Sequence, residues 1–294
     1  MTDAATHAPA RGLAVVPALF GLVRFAHTIF ALPFALAGAL LAAGGVPSWA
    51  TLGWIVLAMA GARSLAMAIN RLVDARLDAA NPRTAGREIP SGRLTRTQVW
   101  VFAAASLAAL LVSVSQLPRI TWYLWPVPVA AFVLYPFTKR FTWGCHLVLG
   151  VCTGLAPLAA WVAVTGRFAL APVLLALGVG LWIGGFDVVY ALLDLDHDRR
   201  VGINSIPVRF GVRRALWITR AMHALAIASL AAAGAAAGTG PLYHVGVAVC
   251  GAVLVYEHAI VDPADPGRIN RAFGAANMVM AVVFFAFVVA DVAW

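Results

Sequence analysis

Two acidic clusters hold the residues best suited to chemistry. The first reads Asn70-Arg-Leu-Val-Asp74-Ala-Arg-Leu-Asp78, and the second Asp187-Val-Val-Tyr190-Ala-Leu-Leu-Asp194-Leu-Asp196-His-Asp198. On an α-helix, positions i, i+4 and i+8 drift by only about 40° per step. Asn70, Asp74 and Asp78 can therefore present three oxygen ligands in a row. Asp187, Asp194 and Asp198 share a stripe by the i+7 and i+4 rule, with Tyr190 beside them, while Asp196 points the other way, toward solvent. Like charges at i,i+4 destabilise a helix unless something compensates. A hard divalent cation does so, and Mg²⁺ typically takes one or two carboxylates and completes its shell with substrate phosphates. Arginines crowd both clusters. Carboxylates for a metal and guanidinium forks for free phosphate oxygens are the combination a metal-bridged diphosphate needs. Plain solvated carboxylates at helix ends are the alternative, and two such pairs, both among arginines, weigh against it.

Further candidates stand outside these clusters. Tyr135-Pro-Phe-Thr-Lys139-Arg140 contains the only lysine in the chain. An interfacial lysine often snorkels toward headgroups, but a compact charge held at a single position also suits contact with phosphate. Arg24, beside His27 and Thr28, and Arg63 sit inside apolar runs, where ionisable residues are functional candidates by default.

The elements that must position these groups follow from composition. The chain has 294 residues, 62% apolar and 11% charged, with mean hydropathy +0.89; a typical soluble domain is roughly 45–50% apolar and about 25% charged. Disorder, coiled coil, collagen and a disulfide scaffold are excluded, and an all-α polytopic membrane protein is expected. Nine apolar runs near the roughly 20 residues that span a bilayer are read at 24–45, 52–70, 97–117, 121–138, 144–164, 169–193, 213–236, 241–258 and 272–292, the eighth being the weakest. Residues 1–23 form a tail whose apolar part, from Gly12, is too short to span and reads as an interfacial lead-in, not a cleaved signal. The rest forms a single membrane domain, so that 1–294 is one unit.

The formal charge of +9 does not call for nucleic acid, because the basic residues separate apolar runs. Under the positive-inside rule, Arg71, Arg76, Arg83, Arg87, Arg93 and Arg96 after the second span, Lys139 and Arg140 after the fourth, and Arg199, Arg200 and Arg209 after the sixth put the N-terminus in the cytoplasm. Both acidic clusters then face the cytoplasmic side, each followed by basic residues and an Ile-Pro (Ile89-Pro90, Ile206-Pro207). This loose repeat suggests two acidic helix ends brought face to face. Cys145, Cys152 and Cys250 have no metal or redox spacing and read as small hydrophobes.

With these motifs in hand, the chain resembles the UbiA superfamily of intramembrane aromatic prenyltransferases. The resemblance rests on Asn70-x3-Asp74-x3-Asp78, Asn81-Pro-Arg-Thr-Ala-Gly-Arg-Glu-Ile-Pro-Ser-Gly92, Tyr135-Pro-x2-Lys139-Arg140 and Asp187-x2-Tyr190-Ala-x2-Asp194-x-Asp196-x-Asp198-x3-Gly202, continuing to Ser205-Ile-Pro-Val-Arg-Phe-Gly211. It implies nine helices around a central cavity, two Mg²⁺ between the acidic motifs, and a lateral opening for a lipid tail. Asn70, Asp74, Asp78, Asp194 and Asp198 would hold metal and diphosphate. Arg83, Arg87, Tyr135, Lys139 and Arg140 would line the phosphate and acceptor site. The segment Arg24-Phe-Ala-His27-Thr28 departs from the Lys-Pro that follows the arginine in 4-hydroxybenzoate enzymes of the best-known type, and some members of the UbiA-like branch serve a menaquinone route.

The expected activity is Mg²⁺-dependent transfer of a polyprenyl group from polyprenyl diphosphate to an aromatic acid, 4-hydroxybenzoate first. It would belong to ubiquinone or menaquinone biosynthesis at a bacterial-type inner membrane, with Arg24 or Arg63 holding the acceptor carboxylate. Two alternatives stay open at this point. One is a membrane alcohol phosphotransferase, whose Asp-x2-Asp-Gly signature is absent. The other is an aspartate-lined cation transporter, which would bind nearer the bilayer midplane.

Overall fold

The computed structural model describes residue 10, residues 12–23 and residues 28–294. Among these residues every regular element is helical. The chain opens with α1 (Val15–Val23), α2 (Thr28–Ala43) and the long α3 (Trp49–Ala80). Then come α4 (Arg96–Ser115), α5 (Arg119–Leu124), α6 (Pro126–Thr138), α7 (Cys145–Thr165) and α8 (Leu170–Tyr190). A 3-10 turn at Ala191–Asp194 leads into α9 (Leu195–Val201), followed by α10 (Ile206–Ala237), α11 (Pro241–Ile260) and α12 (Pro266–Arg271). A π-helical stretch, Ala272–Ala276, runs into α13 (Asn277–Ala293).

Seven helical segments among the described residues are long and apolar enough to cross a membrane, starting at Trp49, Arg96, Arg119, Cys145, Leu170, Ile206 and Pro241. This is a multi-pass membrane protein. Seven of the nine expected spans correspond to these segments, and the two at the ends of the chain are shorter among the described residues. The first, 24–45, corresponds to α2, with 16 residues, and Arg24 and His27 lie outside the described residues. The ninth, 272–292, begins in the π-helical stretch, leaving 17 residues in α13. The eighth, expected to be weakest, forms a full helix of 20 residues as α11. The fourth is split between α5 and α6, because Pro126 has no N–H to continue the ladder.

Packing runs in a circuit. α3 lies against α4 and α6, α6 against α7, α7 against α8 and α2, α8 against α10, α10 against α11, and α11 against α13, which returns to α2. The circuit closes over an aromatic core in which Phe34 meets Trp182 and Phe284 at ring-centroid distances of 5.0 and 5.1 Å. The Trp182 indole N–H donates to the buried Asn277 Oδ1 at 2.7 Å, which spares a polar group an unpaired burial. In a bilayer, lipid is as apolar as the helix faces, so association depends on close van der Waals packing of small residues. Gly150 on α7 is such a point, since a Cβ there would sit 2.3 Å from the Gly180 carbonyl oxygen on α8. The lead-in is also docked, with Leu22 and Val23 buried against Leu65, Ile69 and Leu72 of α3.

Candidate active site

α3 runs past its apolar part to Ala80, so its last turns carry Asn70, Asp74 and Asp78 out of the apolar run on one face. The chain then turns sharply. Asn81 Oδ1 accepts the Arg83 amide at 2.9 Å, and the Thr84 hydroxyl donates to the Asp78 carbonyl at 3.0 Å. These local bonds, which compete with helix continuation, aim Arg83 and Arg87 back across the helix end. On the other side α8 delivers Asp187 and Tyr190. The expected stripe does not run along one continuous helix, because the 3-10 turn tightens the chain before Asp194 and α9 then supplies Asp198. Asp196 points out, with its side chain 88% exposed.

Both acidic clusters line one cavity of about 200 Å³. Asn70, Asp74, Asp78, Arg83, Arg87, Tyr135, Lys139, Asp187, Tyr190, Asp194 and Asp198 all reach it. The aspartates are held by cations from other segments. Lys139 Nζ donates to Asp74 Oδ2 at 2.6 Å, and Arg87 to Asp78 Oδ1 at 2.6 Å. Arg83 grips Asp194 with two N–H groups, one at 2.8 Å and the other shorter, and donates to the Tyr190 hydroxyl at 3.0 Å. Burial opposes the Arg83 charge, but the Asp194 hydrogen bond and the neighbouring charges outweigh it and raise the guanidinium pKa above its ordinary value. Asp187 accepts from, or donates to, His146 Nδ1 at 2.7 Å, according to their protonation.

Two of the expected residues fall elsewhere. Arg140 turns outward, donating to the Val73 carbonyl at 2.9 Å, and reaches Asp74 Oδ1 only at 3.8 Å. Arg63 sits on α3 two turns before Asn70 and does not line the cavity. Arg24 lies outside the described residues. Several cavity residues were missed. Asn81 bridges the two halves through its Nδ2, 2.8 Å from Asp194 Oδ1. Its place just past a helix end, before a proline, was the available signal. Arg71 was counted only as a loop charge, though its side chain is buried 4.0 Å from Asp78 Oδ2. His146 lies inside an apolar run with nothing in sequence to mark it.

The donor set suits a hard divalent cation. Asp74 Oδ1 and Asp78 Oδ2 are buried acceptors with no hydrogen-bond donor, and such acceptors are costly unless satisfied. Among the described residues no three Asp, Glu, His or Cys side chains converge to hold a metal by themselves. A metal here therefore needs oxygens from a substrate, as Mg²⁺ usually does. The lining carries five aspartates against three arginines and one lysine. With negative charge already in formal excess, a diphosphate is accommodated best together with divalent cations.

The UbiA prenyltransferase family matches residues 31–288 of this chain. A 4-hydroxybenzoate octaprenyltransferase of Saccharophagus degradans is 30% identical over 85% of this chain and 83% of its own length. Among solved structures, a UbiA homolog from Aeropyrum pernix superposes with a TM-score of 0.82 at 33% identity, covering 90% of this chain and 98% of the other. The fold is shared as well with a UbiA homolog from Archaeoglobus fulgidus bound to DMAPP and Mg²⁺, at a TM-score of 0.68 and 17% identity, covering 92% and 99% of the two chains.

Proposed function

The chain belongs to the UbiA prenyltransferase family and is a polyprenyltransferase, and from that premise we propose that it transfers a polyprenyl group from polyprenyl diphosphate to 4-hydroxybenzoate in ubiquinone biosynthesis. The observation that carries this reading is the convergence of both aspartate motifs and the Arg83–Arg87 loop on one cavity. The enzyme class displaces the alcohol phosphotransferase and the cation transporter as alternatives. A 4-hydroxybenzoate octaprenyltransferase relative points to the monocyclic acceptor, and the Mg²⁺ bound by the Archaeoglobus protein supports the choice of metal.

Mg²⁺, held by Asp74 and Asp78 with Asn70 on one side and by Asp194 and Asp198 on the other, would supply Lewis-acid stabilisation of the departing diphosphate. Asp187, paired with His146, completes the acidic wall. Arg83, Arg87 and Lys139 each hold a carboxylate in the resting site. On substrate entry they pass from carboxylate to phosphate oxygens, keeping charge-assisted bonds throughout. Positive groups aimed where negative charge develops are the strongest general source of rate acceleration. Tyr135 and Tyr190 present aromatic walls beside the breaking C–O bond, where the allylic cation must be kept from water. The acceptor carbon ortho to the phenol then attacks the cation, and the proton that carbon bore passes to the released diphosphate, which restores the aromatic ring. Arg63 is the proposed partner of the acceptor carboxylate, about 10 Å along α3 from Asn70 at 1.5 Å per residue. On this reading the active site lies at the cytoplasmic face of an inner membrane, within a single domain, as the arginine bias of the loops favours.

The test is to incubate the purified enzyme with labelled polyprenyl diphosphate and a panel of aromatic acids. Prenylated 4-hydroxybenzoate, formed only with divalent metal present, is the expected product. Exclusive prenylation of a bicyclic menaquinone precursor would overturn the acceptor and leave the enzyme class standing.

A further inference from the structure

A second cavity, about 340 Å³, opens on the other side of α3 from the aspartates. It is framed by the end of α3, the start of α4 and the end of α6, and Arg76, Arg96 and Arg140 all line it. No acidic residue does. Arg96 and Arg140 are fixed by donating to the Leu72 and Val73 carbonyls at 3.0 and 2.9 Å, and Arg140 stacks over the Phe137 ring at 5.5 Å. Arg76 is exposed and has no carboxylate partner among the described residues. Three guanidinium groups gathered round one space repel one another unless an anion lies between them. Each has N–H groups left over for the forked contact that arginine makes with phosphate.

The walls identify the source of that phosphate. Trp100, 58% exposed, and Phe137, 38% exposed, flank the arginines. Val101 on α4, with Val133 and Leu134 on α6, extends the exposed apolar surface from them. Both helices lie in segments apolar enough to cross a membrane, so this surface meets lipid. Arginine and tryptophan together at such helix ends mark the headgroup level. An occupant with an anionic head and apolar chains fits both parts, whereas a free phosphate fits only the first.

We propose that this cavity binds the phosphate headgroup of an anionic phospholipid, as a site separate from the aspartate cavity that the proposed donor diphosphate occupies. The binding is independent of the prenyl transfer reading, because its readout is lipid retention and not turnover. Full-length protein in detergent is titrated with phosphatidylglycerol, with phosphatidylcholine and with inorganic phosphate, and bound lipid is followed by native mass spectrometry. Phosphatidylglycerol is expected to be retained over phosphatidylcholine. Arg76→Gln should weaken that retention by about tenfold, the loss of one charge-assisted contact. Arg76→Lys, which keeps the charge and loses the fork, should weaken it less and serves if the glutamine variant misfolds. Arg199→Gln, an exposed charge on α9, should leave it unchanged. Equal retention of the two lipids, an unchanged Arg76→Gln, or inorganic phosphate competing as well as the lipid would overturn the proposal. So would displacement of phosphatidylglycerol by polyprenyl diphosphate, since the cavity would then belong to the donor's site.

Discussion

Asp74 is 2% exposed, carries one oxygen bound to Lys139 and leaves the other without a hydrogen bond. That half-satisfied state is expensive to maintain, and it sets what substitution does. Asp74→Asn or Asp194→Asn should lower turnover about 10²-fold or more, the scale for removing one electrostatic group from an active site. Asp196→Asn should leave it near wild type, because that carboxylate faces solvent. Steady-state assay of the three variants decides, and near-normal turnover in Asp74→Asn or Asp194→Asn would end the two-cluster reading. Lys139→Met should raise the KM for the prenyl donor more than for the aromatic acid. A change in membrane yield with an unchanged donor KM would return Lys139 to a snorkelling role. The aspartates themselves were legible in sequence because i,i+4 spacing is a local property. Their partners were not. Arg83 and Asp194 lie 111 positions apart, and only the folded circuit says that the first loop closes on the second motif and not on its own.

At the scale of elements, the site depends on how closely α7 approaches α8, because α8 carries Asp187 and Tyr190 and α7 carries His146. Gly150→Val would drive a side chain into the Gly180 carbonyl and should cost about 1–3 kcal/mol, the usual range for overpacking. Gly53→Ala, on α3 with open space around it, should be neutral or slightly stabilising, since it removes only backbone freedom. Thermal unfolding in detergent separates the two, and equal melting temperatures would show that the helices can part without loss. Hydropathy located α7 and α8 through long apolar runs, and found α11 less sharply because Tyr243, His244 and Glu257 shorten its run. It could not foresee the 3-10 turn at Ala191–Asp194, where packing overrides a sequence that reads as continuous helix. The π-helical stretch before α13 escaped as well: Ala272–Ala276 has the composition of a span, and nothing local in it marks the wider turn with which it packs against α11 and α8.

Across the whole molecule, membrane topology turns on the shortest helices. α2 has 16 residues, which at 1.5 Å per residue reaches about 24 Å, short of the roughly 30 Å of hydrocarbon. If α2 crosses, with the bilayer thinning around it, the N-terminal lead-in lies on the same side as the aspartate cavity. The Ala10 amide donates to the Arg93 carbonyl at 3.0 Å, and Gln98 Nε2 donates to the Ala10 carbonyl at 2.9 Å. The chain before α1 is therefore tied to the same loop that carries Arg83 and Arg87. The turn between α2 and α3 must then lie on the far side, because α3 crosses from there to reach Asp74 and Asp78. Single cysteines at Val46, 66% exposed in that turn, and at Arg199 next to the second motif should label from opposite faces of sealed vesicles. The three native cysteines are buried and form a quiet background. With the arginine bias assigning the cavity side to the cytoplasm, Val46→Cys should react with an impermeant maleimide in right-side-out vesicles and Arg199→Cys only after inversion. Reaction of both from one face would mean that the cavity and the α2–α3 turn share a side, and α3 could not be a crossing helix.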